Sequence, residues 1–128
     1  MKTRLEHDLL GEREIPQDVY YGIQSVRAQE NFDITGITLS KFPQFIISLA
    51  KVKKAVALAN FELDLLEENK KNAICEACDD IIDGRFHDQF IVDMIQGGAG
   101  TSVNMNINEV VANRALEIMG HKKGEYKY

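Results

Sequence analysis

The chain has 128 residues, of which 45% are hydrophobic and 27% are charged, and its formal net charge is -5. This is the composition of an ordinary globular protein, and at this length one domain with a modest core is expected. The acidic balance and the absence of a lysine- or arginine-rich block argue against a nucleic-acid partner. No apolar run is long enough to cross a membrane, and the N-terminus lacks the apolar segment of a secretory signal. We therefore expect a cytoplasmic protein without membrane association.

The N-terminal third of the chain gives only weak structural signals. Thr3–Glu14 is rich in charge and is interrupted by a glycine, so it predicts an extended or irregular arm. Pro16–Asn31 then shows a loose helical spacing of apolar residues. Within it, Arg27 could be a surface cation or an anion anchor, and a surface position is the simpler interpretation. Apolar residues around a Thr-Gly pair predict one short β-hairpin over residues 34–39.

Two helices are predicted in the middle of the chain. Ser40 could cap the first, with Pro43 in its first turn. Its apolar residues recur every three or four positions: Phe42, Phe45, Ile46, Leu49, Val52, Val56, Ala59 and Leu63. We expect this stripe to face the core and the lysines at 51, 53 and 54 to form a solvated face. The second helix is predicted over Asn69–Asp83 and ends at Gly84.

Two short motifs in this region invite functional interpretations. Cys75 and Cys78 form a single C-x-x-C pair inside the second helix. A structural zinc site needs four ligands, and a thioredoxin-like site follows a strand, so core thiols are the better interpretation. His87 and Asp88 would suit acid–base chemistry, but no nucleophile stands beside them. We interpret them as a loop pair.

The most unusual stretch is Gln96–Arg114, where a glycine-rich turn leads directly into a helical pattern. Three glycines in four positions let a backbone approach a ligand closely, and Thr101 or Ser102 would cap the helix. A helix N-terminus offers N–H groups and partial positive charge to a carboxylate or phosphate. No lysine follows Gly100, and Val103 stands where a dinucleotide fingerprint needs its third glycine. A carboxylate is therefore the expected ligand.

The helix behind this turn is rich in asparagine, which costs roughly half a kcal/mol per residue relative to alanine. Its polar residues fall into two sets that each share a face: Asn104 with Asn108, and Asn106 with Glu109 and Asn113. These side chains either satisfy backbone groups in a core or form a polar site within a helix bundle, and residue chemistry leaves both open. Gly120 is expected just beyond the end of the helix.

Several motifs together resemble a known family. Gln96–Arg114 resembles the first signature region of the aspartase/fumarase superfamily. Five segments resemble its N-terminal region in the same order: residues 6–11, 15–16, 20–24, 27–28 and 30–32. Three segments are more similar to aspartases than to fumarases: residues 52–55, 88–90 and 119–126. Ile107 and Ser25 depart from the common threonines, and neither change is expected to alter the chemistry.

The resemblance implies a mainly α fold, in which residues 1–128 form the N-terminal helical domain and end just before a central helical-bundle domain. It implies reversible deamination of L-aspartate to fumarate and ammonium, through removal of a Cβ proton and an aci-carboxylate intermediate. Thr101 is the expected substrate-binding residue for the dicarboxylate, with Ser102 and Asn104 as further candidates. The resemblance implies no organic cofactor, although some members respond to a divalent metal, and it places no metal ligand or catalytic residue in this chain.

Members of the superfamily are several times longer and form homotetramers whose active sites combine three subunits. Their second signature region, with His-Val-Asn and Ser-Thr-Asn-Asp, would follow Tyr128, and their catalytic serine lies further on. We therefore expect this chain to be an N-terminal fragment that is inactive alone, with the face of Val110 and Val111 exposed. Two alternatives stay open: the same region of a fumarate hydratase, and a non-catalytic helical domain for binding or assembly.

Overall fold

The computed structural model describes residues 2–128 and has a mainly α fold, as predicted. A two-stranded antiparallel sheet precedes four helices: β1 Thr3–Asp8, β2 Gly11–Pro16, α1 Ile23–Asn31, α2 Pro43–Glu62, α3 Glu68–Ile82 and α4 Thr101–Ile118. Within residues 2–128, none of the helices combines the length and the apolar character that a membrane span requires.

The arm predicted to be extended or irregular is extended: residues 3–16 form a regular β-hairpin, so the irregular alternative is wrong. Strands β1 and β2 pair from Thr3 opposite Pro16 to Asp8 opposite Gly11. The two-residue turn is stabilised by Asp8, whose carboxylate accepts the N–H of Leu10 at 2.9 Å. The inward positions of β1 are Arg4 and Glu6, so the strand lacks the apolar alternation that would have revealed it.

The hairpin predicted over residues 34–39 is also wrong. Residues 34–36 instead form a turn around the carboxylate of Asp93, and a single β-bridge joins Thr38 to Asp93. Leu39–Lys41 then makes one 3-10 turn. Ser40 lies within that turn and does not cap α2, which begins at Pro43 with Phe42 in the capping position.

Helix α4 lies at the centre of the core. Helices α2 and α3 form an antiparallel pair, in which Lys71 lies over the ring of Phe61 and Lys54 forms an ion pair with Asp79. Helices α3 and α1 both pack against α4. The largest fully buried side chains of the apolar core are Phe90, Ile46, Ile81, Ile107, Val92 and Val110.

The face of α2 that enters the core matches the predicted one only in part, since Ile46 is fully buried and Leu49 packs against the core. The buried residues of this helix are Ile46, Ala50 and Ala57, and the two alanines let α2 approach its neighbours closely. Most large residues of the predicted stripe are exposed, including Phe42, Phe45, Val52, Val56 and Leu63. The predicted exposure of the face around Val110 and Val111 is likewise wrong, since both residues are buried.

The predicted helix ends are confirmed. Gly84 and Gly120 have φ of +95° and +82°, which a glycine adopts without steric cost. The N–H of Arg85 reaches the carbonyl of Asp80 at 3.0 Å, and the N–H of His121 reaches that of Leu116 at 2.8 Å. These hydrogen bonds across the last turn are typical of a glycine-terminated helix.

The cysteine pair, His87 and Arg27 all have contacts or burial that indicate structural roles. Cys78 is fully buried in the core and Cys75 is partly buried, and both are free thiols. His87 lies in a 3-10 turn with its Nε2 2.8 Å from the carbonyl of Ile81, in line with a loop role. Arg27 is not a free surface cation: its guanidinium forms two hydrogen bonds with the carboxylate of Asp8 and ties the hairpin to α1.

Candidate carboxylate site at the N-terminus of α4

The glycine turn before α4 has a backbone geometry that favours glycine at two of its positions. Gly98 and Gly100 have φ of +69° and +88°, values that strain any residue with a Cβ. Gly100 is the N-cap of α4. The prediction that Thr101 or Ser102 would be the cap is therefore wrong, and these residues occupy the first two helical positions instead.

This shift in the helix start decides which N–H groups are available. The first intrahelical hydrogen bond runs from Asn104 to the carbonyl of Gly100 at 3.0 Å. The N–H of Val103 is accepted by the side-chain oxygen of Gln96 at 2.9 Å. The N–H groups of Thr101 and Ser102 lie ahead of the first helical hydrogen bond, at the positive end of the helix dipole, and the first turn carries no acidic residue. The arrangement suits a carboxylate.

The three predicted site residues do not all lie on one surface. Thr101 and Asn104 are exposed, and their spacing places them one turn apart on the same side of α4. Ser102 is buried, and its backbone N–H lies ahead of the first helical hydrogen bond. Lys53 of α2 donates to the side-chain oxygen of Asn104 at 2.6 Å. Sequence reasoning missed this cation because the contact joins residues far apart in the chain.

The second polar set of α4 is structural. Asn106 donates to the carbonyl of Gln89 at 3.0 Å and is fully buried. Asn113 donates to the carbonyl of Tyr20 at 2.8 Å and accepts the N–H of Gly124 at 2.7 Å. Of the two interpretations left open, satisfaction of neighbouring backbone groups is therefore the correct one for these amides.

Two buried carboxylates together satisfy the N-terminus of α1. Glu109 accepts the N–H groups of Gly22, Gln24 and Ser25, and also the Ser25 hydroxyl at 2.6 Å. Glu6 accepts the remaining N–H, that of Ile23, at 2.9 Å. Burial raises the pKa of Glu109, although the four donors that surround the carboxylate act in the opposite direction.

Asp93 anchors the segment that leads into the glycine turn. Its carboxylate accepts the N–H groups of Thr35 at 2.8 Å and Gly36 at 3.1 Å on one side, and that of Ile95 at 2.8 Å on the other. Burial alone would raise the pKa of Asp93, but these donors and the Thr35 hydroxyl outweigh it and lower the pKa to about 2. The carboxylate is therefore charged at neutral pH. It joins the loop after α1 to the segment directly before the glycine turn.

The groove between three of the helices offers few polar groups to a small acid. This groove of about 310 Å³ lies between α2, α3 and α4, and its walls are mainly apolar, including Val56, Ala57, Val111 and Ala112. Within residues 2–128, no group of three or more His, Cys, Asp or Glu side chains is arranged to hold a metal ion. Compared with this groove, the N-terminal end of α4 is better suited to an anion.

Comparison with known proteins places the chain in a family. The family model described as lyase matches residues 11–127. The chain belongs to this lyase family. Over 98% of its length it is 64% identical to an aspartate ammonia-lyase of Helicobacter pylori, and it spans 27% of that protein. The resemblance to the aspartase/fumarase superfamily is thus confirmed.

Solved structures of lyases share its fold. A fumarate lyase:delta crystallin from Brucella melitensis superposes with a TM-score of 0.96 and 56% identity, over 98% of this chain and 29% of that one. A class II fumarase from Schistosoma mansoni superposes with a TM-score of 0.88 and 33% identity, over 97% of this chain and 26% of that one. The chain therefore spans between a quarter and a third of each of these lyases.

Proposed function

We propose that the chain is the N-terminal domain of an aspartate ammonia-lyase, and that the longer protein converts L-aspartate reversibly into fumarate and ammonium. The observation that carries this proposal is the difference in identity along nearly the whole chain. Identity is 64% with an aspartate ammonia-lyase and 33% with a class II fumarase. The N-terminus of α4, with its two N–H groups and the exposed Thr101, supplies a place for a carboxylate.

In this proposal the N-terminus of α4 holds the carboxylate on which charge develops. A base removes the Cβ proton of aspartate, and the electron pair moves into the adjacent carboxylate, which becomes a doubly charged aci-carboxylate. The electron pair then returns to form the Cα–Cβ double bond of fumarate as the C–N bond breaks. The amine, protonated in the substrate, leaves as ammonia and takes up one proton, equivalent to the one removed from Cβ, to become ammonium. Donors fixed at the carboxylate stabilise this intermediate more than the substrate, and that difference lowers the barrier.

Each predicted residue has a role that its position supports. The hydroxyl and N–H of Thr101 and the N–H of Ser102 donate to the substrate carboxylate. Asn104 is proposed as a further substrate-binding residue one turn along the helix, where Lys53 donates a hydrogen bond to its side chain. The base is assigned to a part of the longer protein outside residues 1–128, so we expect the 128-residue chain to lack lyase activity by itself.

The remaining features of the proposal concern the longer protein. Residues 1–128 form its N-terminal domain, a central helical-bundle domain follows, and the enzyme is a cytoplasmic homotetramer. The large apolar residues exposed on α2, such as Phe45, Val52 and Val56, are consistent with a domain that packs against further protein.

The test is to assay the longer protein separately with L-aspartate and with L-malate, measuring the fumarate formed. Fumarate from aspartate and little from malate supports the proposal. Fumarate from malate alone would establish the fumarate hydratase alternative, and no fumarate from either substrate would leave the non-catalytic binding or assembly domain. Lyase activity of residues 1–128 alone would show that the assignment of the base is wrong.

A further inference from the structure

One side chain bridges the glycine turn from end to end. The side-chain oxygen of Gln96 accepts the N–H of Val103 at 2.9 Å, across seven positions of the chain. Between them lie Gly97, Gly98 and Gly100, which carry no side chain that could hold the turn in place. Since glycine-rich backbone has the largest conformational freedom, a turn of this kind needs a contact from outside to fix it.

The start of the turn is itself held firmly. Asp93 accepts the N–H of Ile95, directly before Gln96, while it also binds the loop at Thr35 and Gly36. Directly after Gln96, a Cβ added to Gly97 would lie 3.2 Å from the ring of Phe32. The backbone on both sides of Gln96 is therefore held in place. Through its hydrogen bond to Val103, the Gln96 side chain ties the first turn of α4 to this held segment.

We propose that Gln96 is a positioning residue for the substrate carboxylate. By occupying the N–H of Val103 it fixes the first turn of α4 and leaves the N–H groups of Thr101 and Ser102 to the ligand. This inference rests on the proposed function, because it concerns the same carboxylate site. Gln96 acts through the helix backbone, and its side chain is not assigned a contact with the reacting atoms.

Two substitutions in the full-length enzyme separate positioning from mere stabilisation. Gln96→Ala removes the acceptor, so we expect kcat/KM for aspartate to fall about tenfold or more, since a 1 Å misplacement can cost roughly a hundredfold. Gln96→Glu keeps an acceptor of the same shape, so the turn stays ordered. Its negative charge next to the site should nevertheless raise KM for the substrate dicarboxylate, with a smaller change in kcat. Gln44→Ala, at an exposed position in α2, is the matched control.

Hydrogen exchange of peptides covering residues 97–104, measured on the same full-length proteins, tests the turn without using activity. We expect faster exchange in Gln96→Ala and wild-type exchange in Gln96→Glu and Gln44→Ala. Wild-type kinetics in both Gln96 variants would overturn the inference, as would unchanged exchange in Gln96→Ala. A wild-type enzyme without activity on aspartate would instead overturn the proposed function, and the exchange data alone would then decide whether Gln96 orders the turn.

Discussion

Replacement of Glu109 tests how far the fold depends on one buried carboxylate. Glu109→Ala leaves the N–H groups of Gly22, Gln24 and Ser25 without their acceptor. Gly22 and Ser25 are buried and Gln24 is partly exposed, so water can replace the carboxylate only at Gln24. At about 1–3 kcal/mol for each unsatisfied buried donor, with a smaller loss at Gln24, we expect the free energy of unfolding to fall by about 3–5 kcal/mol.

Urea unfolding of the chain, followed by circular dichroism, measures this loss. Glu109→Gln keeps one acceptor oxygen and removes a charge that burial disfavours, so it should lose only about 1–2 kcal/mol. Glu76→Ala, at an exposed position in α3, is the control and should change stability by less than about 0.5 kcal/mol. If Glu109→Ala unfolds at the same urea concentration as Glu76→Ala, the assigned role of the carboxylate is incorrect.

Three further predictions concern other buried groups. The pKa of Asp93 is lowered to about 2 in the fold. Its carboxylate should therefore contribute fully to stability above the unfolded pKa near 4, and this contribution should be lost as the pH falls towards 2. In urea titrations, the difference in free energy of unfolding between wild type and Asp93→Asn should shrink over that pH range. Gly22→Ala should destabilise the chain markedly in thermal unfolding, because the new Cβ would lie 2.7 Å from side-chain oxygens of Glu6 and Tyr126, and a wild-type melting temperature would contradict this. Cys78 is fully buried with its pKa raised to about 12, so mass spectrometry should find it unmodified by iodoacetamide in the folded chain at pH 8, whereas equal labelling before and after unfolding would refute its burial.

The helices were predictable where local signals agree. Gly84 and Gly120 end α3 and α4 as expected, because a glycine just beyond the last turn is a purely local device. The hairpin at the N-terminus was not predictable from periodicity, because Arg4 and Glu6 occupy its inward positions. Their hydrogen bonds reach backbone groups as far away as Tyr21 and Ile23. A buried charged strand becomes recognisable only when those distant partners are known.

Which face of a helix is buried also depends on packing partners that are distant in the sequence. Helix α2 carries apolar residues on more than one side, so its pattern did not reveal that Ala50 and Ala57 would face the core while Val52 and Val56 would be exposed. Which side is buried depends on the shape of α3 and α4. A stripe of large apolar residues is also expected on a surface that packs against further protein. Apolar spacing alone therefore does not show which side of the helix faces the core.

At the candidate site, the turn and the helix behind it were predictable from the sequence, whereas the carboxylate ligand stays a prediction. The run of glycines indicated a tight turn, and Gly98 and Gly100 take the left-handed φ values that glycine adopts without steric cost. The exact start of α4 was not predictable, because Gly100 is the N-cap and the side chain of Gln96, outside the helix, accepts the N–H of Val103. The separation of the amides into exposed Asn104 and buried Asn106 follows from helical spacing, whereas the contact of Asn104 with Lys53 depends on tertiary packing.

The most direct test of the account is the activity of Thr101→Val in the longer protein with L-aspartate as substrate. Valine has a similar shape but cannot donate a hydrogen bond, so kcat/KM should fall by about 10²–10³-fold, the range typical of a lost donor to a developing oxyanion. Thr3→Val, at an exposed position in β1, should retain wild-type activity. If Thr101→Val is folded and as active as Thr3→Val, the N-terminus of α4 does not hold the substrate carboxylate and the central claim fails.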